Sequence, residues 1–93
     1  MPATTIHRVS DSQCASRTDF FKLWNNSTSA LGVCFASDGG LNVNIYNVYQ
    51  ITSGNNTGFV IDHDGQKFQL CQWATFSHFI AHVIFVEITG RTC

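Results

Sequence analysis

Four cysteines in a chain of 93 residues constrain this fold more than any other feature of the sequence. Cys14, Cys34, Cys71 and Cys93 lie 20, 37 and 22 residues apart, whereas structural zinc sites use closely spaced pairs such as C-x2-C. An even number of cysteines in a short chain predicts two disulfides and an oxidising, extracellular compartment. The sequence alone allows three pairings.

The composition is that of one small globular domain with few charges. Apolar residues make up 44% of the chain and charged residues only 12%, against about 25% in a typical domain. Asn, Ser, Thr and Gln must complete the surface, as in many extracellular proteins. No cluster of Lys and Arg and no apolar run of about 20 residues occurs. We therefore expect a secreted monomer with neither nucleic-acid binding nor a transmembrane segment.

Short apolar or alternating runs, separated by Gly, Asn, Asp and Ser about every ten residues, predict an all-β sandwich or barrel. Leu41–Ile45 alternates strictly between apolar residues and Asn, which indicates a strand with one buried face. Long helical periodicity is absent. The predicted strands cover residues 19–24, 32–36, 41–45, 48–51, 59–61, 67–73 and 83–88. Residues 37–40 and 62–65 are predicted turns, and 74–81 is ambiguous between loop, helical turn and strand.

A shift of 37 residues aligns the two halves of the chain, placing Cys34 on Cys71 and Gln50–Thr52 on Glu87–Thr89. Two similar four-strand units predict two Greek-key motifs, each burying the apolar face of the other. We predict one domain over 1–93, with an N-terminal arm 1–17, a first Greek key 18–54 and a second 55–93. This duplication favours the sequential disulfide pairing, in which each terminus is linked to its own half.

Four segments resemble the βγ-crystallin-like family, in its branch of small secreted microbial proteins that includes killer-toxin-like members. They are Cys14–Trp24, Val33–Ala36, Asn44–Val48 and Ile51–Asn56. The resemblance covers about residues 14–89 and implies a βγ-crystallin-like sandwich. It also implies a Cys14–Cys34 disulfide, with Cys71–Cys93 as an addition to the family pattern.

The family's calcium motif has two Asn or Asp residues, two variable residues, Ser or Thr, and then Ser, just before each closing strand. Residues 44–47 and 79–82, which occupy those places here, do not match it. Asn25–Ser29 is similar in residue type but follows the first strand and offers no carboxylate, a ligand that calcium favours. We therefore expect no bound metal and no cofactor.

The sequence contains no strong catalytic motif. Asp62–Gly65 has the residues of a metal or acid–base site, but Asp-Gly is also typical of a tight hairpin turn. His78 and His82 share a face only if they lie on a helix. A Ser77, His78 and Asp62 triad lacks the Gly-x-Ser-x-Gly motif that exposes a serine nucleophile. We therefore predict that the protein is not an enzyme.

The aromatic side chains are the best candidates for a binding surface. Trp24, Trp73, Phe76 and Phe79 form either an exposed patch or part of the core, since aromatic residues dominate small cores. The segment around 73–79 has many rings and little strand pattern, so the predicted surface comprises Trp73, Phe76, His78, Phe79 and His82. Asn25, Asn26 and Asn55 begin N-x-Ser/Thr glycosylation motifs.

These observations favour a secreted, non-enzymatic, toxin- or effector-like protein that binds a cell-surface or extracellular protein or glycan. Two other functions fit the same scaffold. One is a structural or calcium-binding secreted domain, and the other is an extracellular protease inhibitor that presents a rigid loop. The sequence does not identify the target.

Overall fold

The computed structural model describes residues 5–26, 30–91 and 93, which form two antiparallel sheets and one short helix. Residues 1–4 of the predicted arm and 27–29 of the loop that follows the first predicted strand lie outside the described residues. The elements are β1 (His7–Arg8), α1 (Asp11–Ser16), β2 (Phe21–Trp24), β3 (Gly32–Ala36), β4 (Gly39–Val48), β5 (Gln50–Thr52), β6 (Thr57–Asp62), β7 (Lys67–Leu70), β8 (Thr75–Phe76) and β9 (Ile80–Gly90).

The two sheets exchange strands between the two halves of the chain. The first sheet has the order β1-β3-β2-β5-β8 and the second β4-β9-β6-β7. The first unit contains β2–β5, and its third strand, β4, joins the second sheet. The second unit contains β6–β9, and its third strand, β8, joins the first sheet. This arrangement confirms the predicted all-β sandwich of two Greek keys with two disulfides. The boundaries 18–54 and 55–93 stay a prediction.

The core lies between the sheets because strand alternation directs one apolar set from each strand inward. β4 shows this pattern as predicted, with Ile45 buried and Asn42 and Asn44 exposed. The core consists of Ile6, Phe21, Leu23, Val33, Phe35, Ile45, Val48, Ile51, Val60, Leu70, Ile80, Val83, Val86 and Ile88.

The last strand, β9, differs from its predicted form. We expected Ile84, Val86 and Ile88 on one face and Val83 and Phe85 on the other. However, the pairing with β6 skips one residue at Ile84, so β9 contains a β-bulge. A bulge moves the next side chain to the opposite face. Val83, Val86 and Ile88 are therefore all buried in the core, while Ile84 and Phe85 remain partly exposed.

Other predicted bounds shift by a few residues. A turn was predicted at residues 37–40. Only residues 37 and 38 lie outside a strand, because β4 begins at Gly39. The predicted strand 67–73 ends at Leu70, and the ambiguous segment 74–81 contains β8 and the start of β9. Tyr49 separates β4 from β5 inside the predicted strand 48–51.

The N-terminal arm covers the outer face of the first sheet. The polar sequence of this arm shows no period, but the arm contains β1 and α1, and Ile6 and Val9 are buried. Cys14 of α1 is bonded to Cys34 of β3 with a Cα–Cα distance of 5.5 Å. Cys14, Cys34, Val9 and Ala30 form a second, smaller apolar cluster. The first sheet is therefore covered on both faces near β2 and β3.

The second disulfide joins Cys71, just after β7, to the C-terminal Cys93 with a Cα–Cα distance of 5.2 Å. Both residues are exposed. The predicted sequential pairing is therefore confirmed for both bonds.

A buried serine connects the two halves at residues 71–74. The Ser53 hydroxyl donates to the Cys71 carbonyl at 2.6 Å and accepts the Ala74 amide at 2.8 Å. The Ser53 amide donates to the Ala74 carbonyl at 3.0 Å, and the Trp73 amide donates to the Gly54 carbonyl at 2.7 Å. These bonds hold Trp73 at φ 57°, a left-handed conformation that is uncommon for a bulky residue. Surrounding contacts must stabilise such a residue.

The two disulfides are expected to differ in their contribution to stability. They close loops of 20 and 22 residues, so loop entropy gives each about 3 kcal/mol. Cys14 and Cys34 are also buried in an apolar cluster, so their replacement by Ala leaves a cavity and adds about 1 kcal/mol. Urea unfolding of Cys14→Ala/Cys34→Ala and Cys71→Ala/Cys93→Ala measures the difference. An equal loss, or a larger loss in the second variant, contradicts it.

Ser53→Ala is expected to lower the free energy of unfolding by about 1–3 kcal/mol, because it leaves the partly buried Ala74 amide without the hydroxyl acceptor. It should also speed hydrogen exchange at Ala74. Ser77→Ala is the control, since Ser77 is exposed and makes no hydrogen bond among the described residues. If both variants unfold at the same urea concentration, Ser53 does not hold this turn.

Candidate binding surface

The five residues of the predicted surface do not form one patch. Trp73 lies on the 71–74 turn, Phe76 and His78 pack together, His82 stacks elsewhere, and Phe79 stands 60% exposed between β8 and β9. The assignment of these residues to binding stays a prediction. The structure instead divides them among four places.

Phe76 and His78 belong to a ring cluster with Phe68 of β7. The ring centroids of Phe68 and Phe76 are 5.4 Å apart, and His78 lies 5.9 Å from Phe68 and 5.7 Å from Phe76. Phe68 and Phe76 also pack against the core and are only partly exposed. This cluster therefore has mainly a packing role, with His78 as its exposed edge.

His82 is the centre of a second ring stack. Its ring lies 4.2 Å from that of Tyr46 and 5.9 Å from that of His63, and its Nε2 is 3.0 Å from Oδ1 of Asn44. Tyr46 is 55% exposed. Sequence reasoning missed it, although the alternation that buries Ile45 places its neighbour Tyr46 on the outer face.

Trp73 borders a cleft of about 350 Å³ on the outer face of the first sheet. We call it the tryptophan cleft; its lining includes Phe20, Lys22, Trp24, Thr52, Trp73 and Thr75. Lys22 of β2 is in register with Thr52 of β5, and Thr52 is in register with Thr75 of β8. Lys22, Thr52 and Thr75 thus lie side by side on three neighbouring strands.

Trp24 and Trp73 differ sharply in exposure. Trp24 is half-buried, and its indole Nε1 donates to the Thr52 hydroxyl at 2.8 Å. Trp73 is 62% exposed, the most exposed of the large apolar side chains described. An exposed aromatic side chain costs free energy in water and is enriched at binding surfaces.

Lys22 is the least expected residue of the cleft. It lies on the outer face of β2, where alternation predicts a solvated side chain, yet it is only 5% exposed. The reason is that Ala30, eight residues further on, lies against the end of this side chain. The Lys22 Nζ donates to the Ala30 carbonyl at 2.8 Å and lies 3.6 Å from the Trp24 ring centroid. Burial lowers the pKa of this ammonium.

A second cleft, of about 620 Å³, opens between the sheets. Its floor is apolar, including Phe35 and Ile45, and its rim carries Asn44, Tyr46 and Asn47. Asn25 and Asn26 also line it.

The other candidate sites have structural explanations. Oδ1 of Asp62 accepts the amides of Asp64 and Gln66, both at 2.9 Å, so the segment is a stabilised β6–β7 hairpin turn. Ser77 and His78 make no hydrogen bond with Asp62. His78 lies between β8 and β9 while His82 is inside β9, so the two do not share a helix face.

Among the described residues, no group of three or more His, Cys, Asp or Glu side chains is arranged to hold a metal ion. The same part of the chain has no helix that is long and apolar enough to span a membrane.

Comparisons with known proteins show the fold and the family. The solved structure of an antifungal protein from Streptomyces tendae Tu901 is similar, with a TM-score of 0.69 and 22% identity over 89% of this chain and 98% of that chain. That identity shows a shared fold. No curated protein sequence matches this chain. The family model described as Beta/Gamma crystallin matches residues 22–89. Since this match covers most of the chain, the protein belongs to the Beta/Gamma crystallin family.

Proposed function

We propose that the protein is a secreted, non-enzymatic effector that inhibits the growth of other microbes by binding their surface. The observation that carries this proposal is Trp73, a 62% exposed indole that hydrogen bonds hold in a left-handed conformation. Because the backbone at Trp73 is already held in place, binding through this indole costs less conformational entropy than binding through a mobile loop.

Two further observations support the proposal. One disulfide joins α1 to β3 and the other joins Cys71, just after β7, to Cys93, and disulfides in so small a domain are typical of extracellular proteins. The similar solved structure is that of an antifungal protein. Both the family and this neighbour are of non-enzymatic kinds.

We expect the purified, oxidised protein to slow the growth of a panel of filamentous fungi and yeasts and to sediment with intact cells. Protein that has been reduced and alkylated at its four cysteines is the control, and it should lose both activities because both disulfides are gone.

An oxidised, folded sample that neither slows growth nor sediments with cells contradicts the proposal. In that case the same sample separates the other two functions. Calcium raising the melting temperature favours a calcium-binding domain, and slowing of secreted proteases favours an inhibitor.

A further inference from the structure

The tryptophan cleft is lined by cationic side chains, which are few in this protein. The chain contains five Lys and Arg residues and has a formal net charge of −1. Two of the five, Arg17 and Lys22, line this cleft, and the lining contains no Asp or Glu. Chance placement on a surface with so few charges does not favour this pairing.

The two cations are not equivalent. The Arg17 guanidinium pairs with the Asp19 carboxylate, with Nε to Oδ1 at 2.9 Å, and it lowers the pKa of that carboxyl. The positive charge of Arg17 is therefore compensated locally. Lys22 has no carboxylate within ion-pair distance among the described residues. The uncompensated charge of the cleft is the Lys22 ammonium.

A buried ammonium without an anion is costly, because the loss of water is only partly offset. One Lys22 N–H donates to the Ala30 carbonyl and the charge faces the Trp24 ring. An ammonium has three donors, so it retains the capacity to bind an anion that enters the cleft. Such an anion would supply the negative charge that the protein does not place beside the Lys22 ammonium.

The rest of the lining fits a sugar ring better than a flexible acyl chain. The face of an aromatic ring carries partial negative charge and attracts the C–H face of a pyranose. Trp73 offers an exposed ring at this cleft. Thr52 and Thr75, which carry hydroxyls, line the same cleft on strands that follow β2 and its Lys22 across the sheet. The volume of about 350 Å³ lies within the range of small-ligand sites.

We propose that the tryptophan cleft binds a sugar chain that carries carboxylates, with one pyranose ring stacked on Trp73 and a carboxylate directed to the Lys22 ammonium. This inference rests on the proposed function, because it names the chemistry of the surface target.

The direct test compares two probes that differ only in charge. Trigalacturonate carries a carboxylate on each ring, and its fully methyl-esterified form keeps the rings without the charge. Calorimetric titration of the oxidised wild-type protein should show the acid binding at least about tenfold more tightly than the ester, since the ester leaves the buried ammonium unpaired. Equal affinities, or no binding of the acid, overturn the proposal.

Two matched pairs of variants locate the site. Trp73→Ala should weaken binding of trigalacturonate by about tenfold, because a central aromatic contact is lost. Phe79→Ala, at a similarly exposed ring outside the cleft, should leave it unchanged. Lys22→Met should abolish the preference for acid over ester. Lys67→Met should not, although the Lys67 Nζ also lies 4.2 Å from an aromatic ring centroid, that of Phe59.

The failure of this inference and that of the proposed function are distinguishable. Wild-type protein that inhibits growth but binds acid and ester equally refutes the sugar-acid site and leaves the function standing. Protein that binds the acid at the tryptophan cleft without affecting growth supports the site and refutes the function. Binding that Phe79→Ala weakens as much as Trp73→Ala places the ligand elsewhere and also refutes the site.

Discussion

The exchange of β4 and β8 between the two sheets is the constraint on which the rest of the structure depends. Each sheet has an edge strand from the other unit, so neither sheet is complete within one unit. The core residues also come from both units, and they are buried only when the sheets pack together. A chain of this size has a thin core, and the exchange makes that core common to both halves.

The candidate site is a consequence of this arrangement. Because β8 joins the first sheet, Thr75 of the second unit comes into register with Thr52 of the first. The turn that leads into β8 is bonded to Ser53 and Gly54, which places Trp73 beside the cleft. The outer face of the same sheet carries Lys22 beneath the segment that contains Ala30. The tryptophan cleft therefore lies where the two units and the N-terminal segment meet.

Local patterns in the sequence predicted the sandwich, the strand alternation of β4 and both disulfides. Those features depend on period-2 alternation and on a 37-residue repeat, and both are visible in one chain. The bulge at Ile84 was not predictable in this way, because a continuous apolar run gives no sign of an extra residue. For the same reason, the prediction that Val83 lies on the opposite face of β9 from Val86 and Ile88 was wrong.

The binding surface was the hardest part to predict. Trp73 and Phe79 were correctly singled out as aromatic residues in a segment with little strand pattern, and both are exposed. The burial of Lys22 depends on Ala30, eight residues further on, which lies against the end of this side chain. Alternation within β2 predicts a solvated lysine there, so only the tertiary structure reveals a buried cation beside Trp24.

The central claim is that the fold holds Trp73 rigidly in solvent, ready for a ligand. NMR relaxation of the backbone amide and the indole N–H of Trp73 tests it most directly. The account predicts order parameters near 0.85 for both groups, equal to those of residues in β5 and β9. Values below about 0.6 at Trp73, with the neighbouring strands rigid, would contradict it.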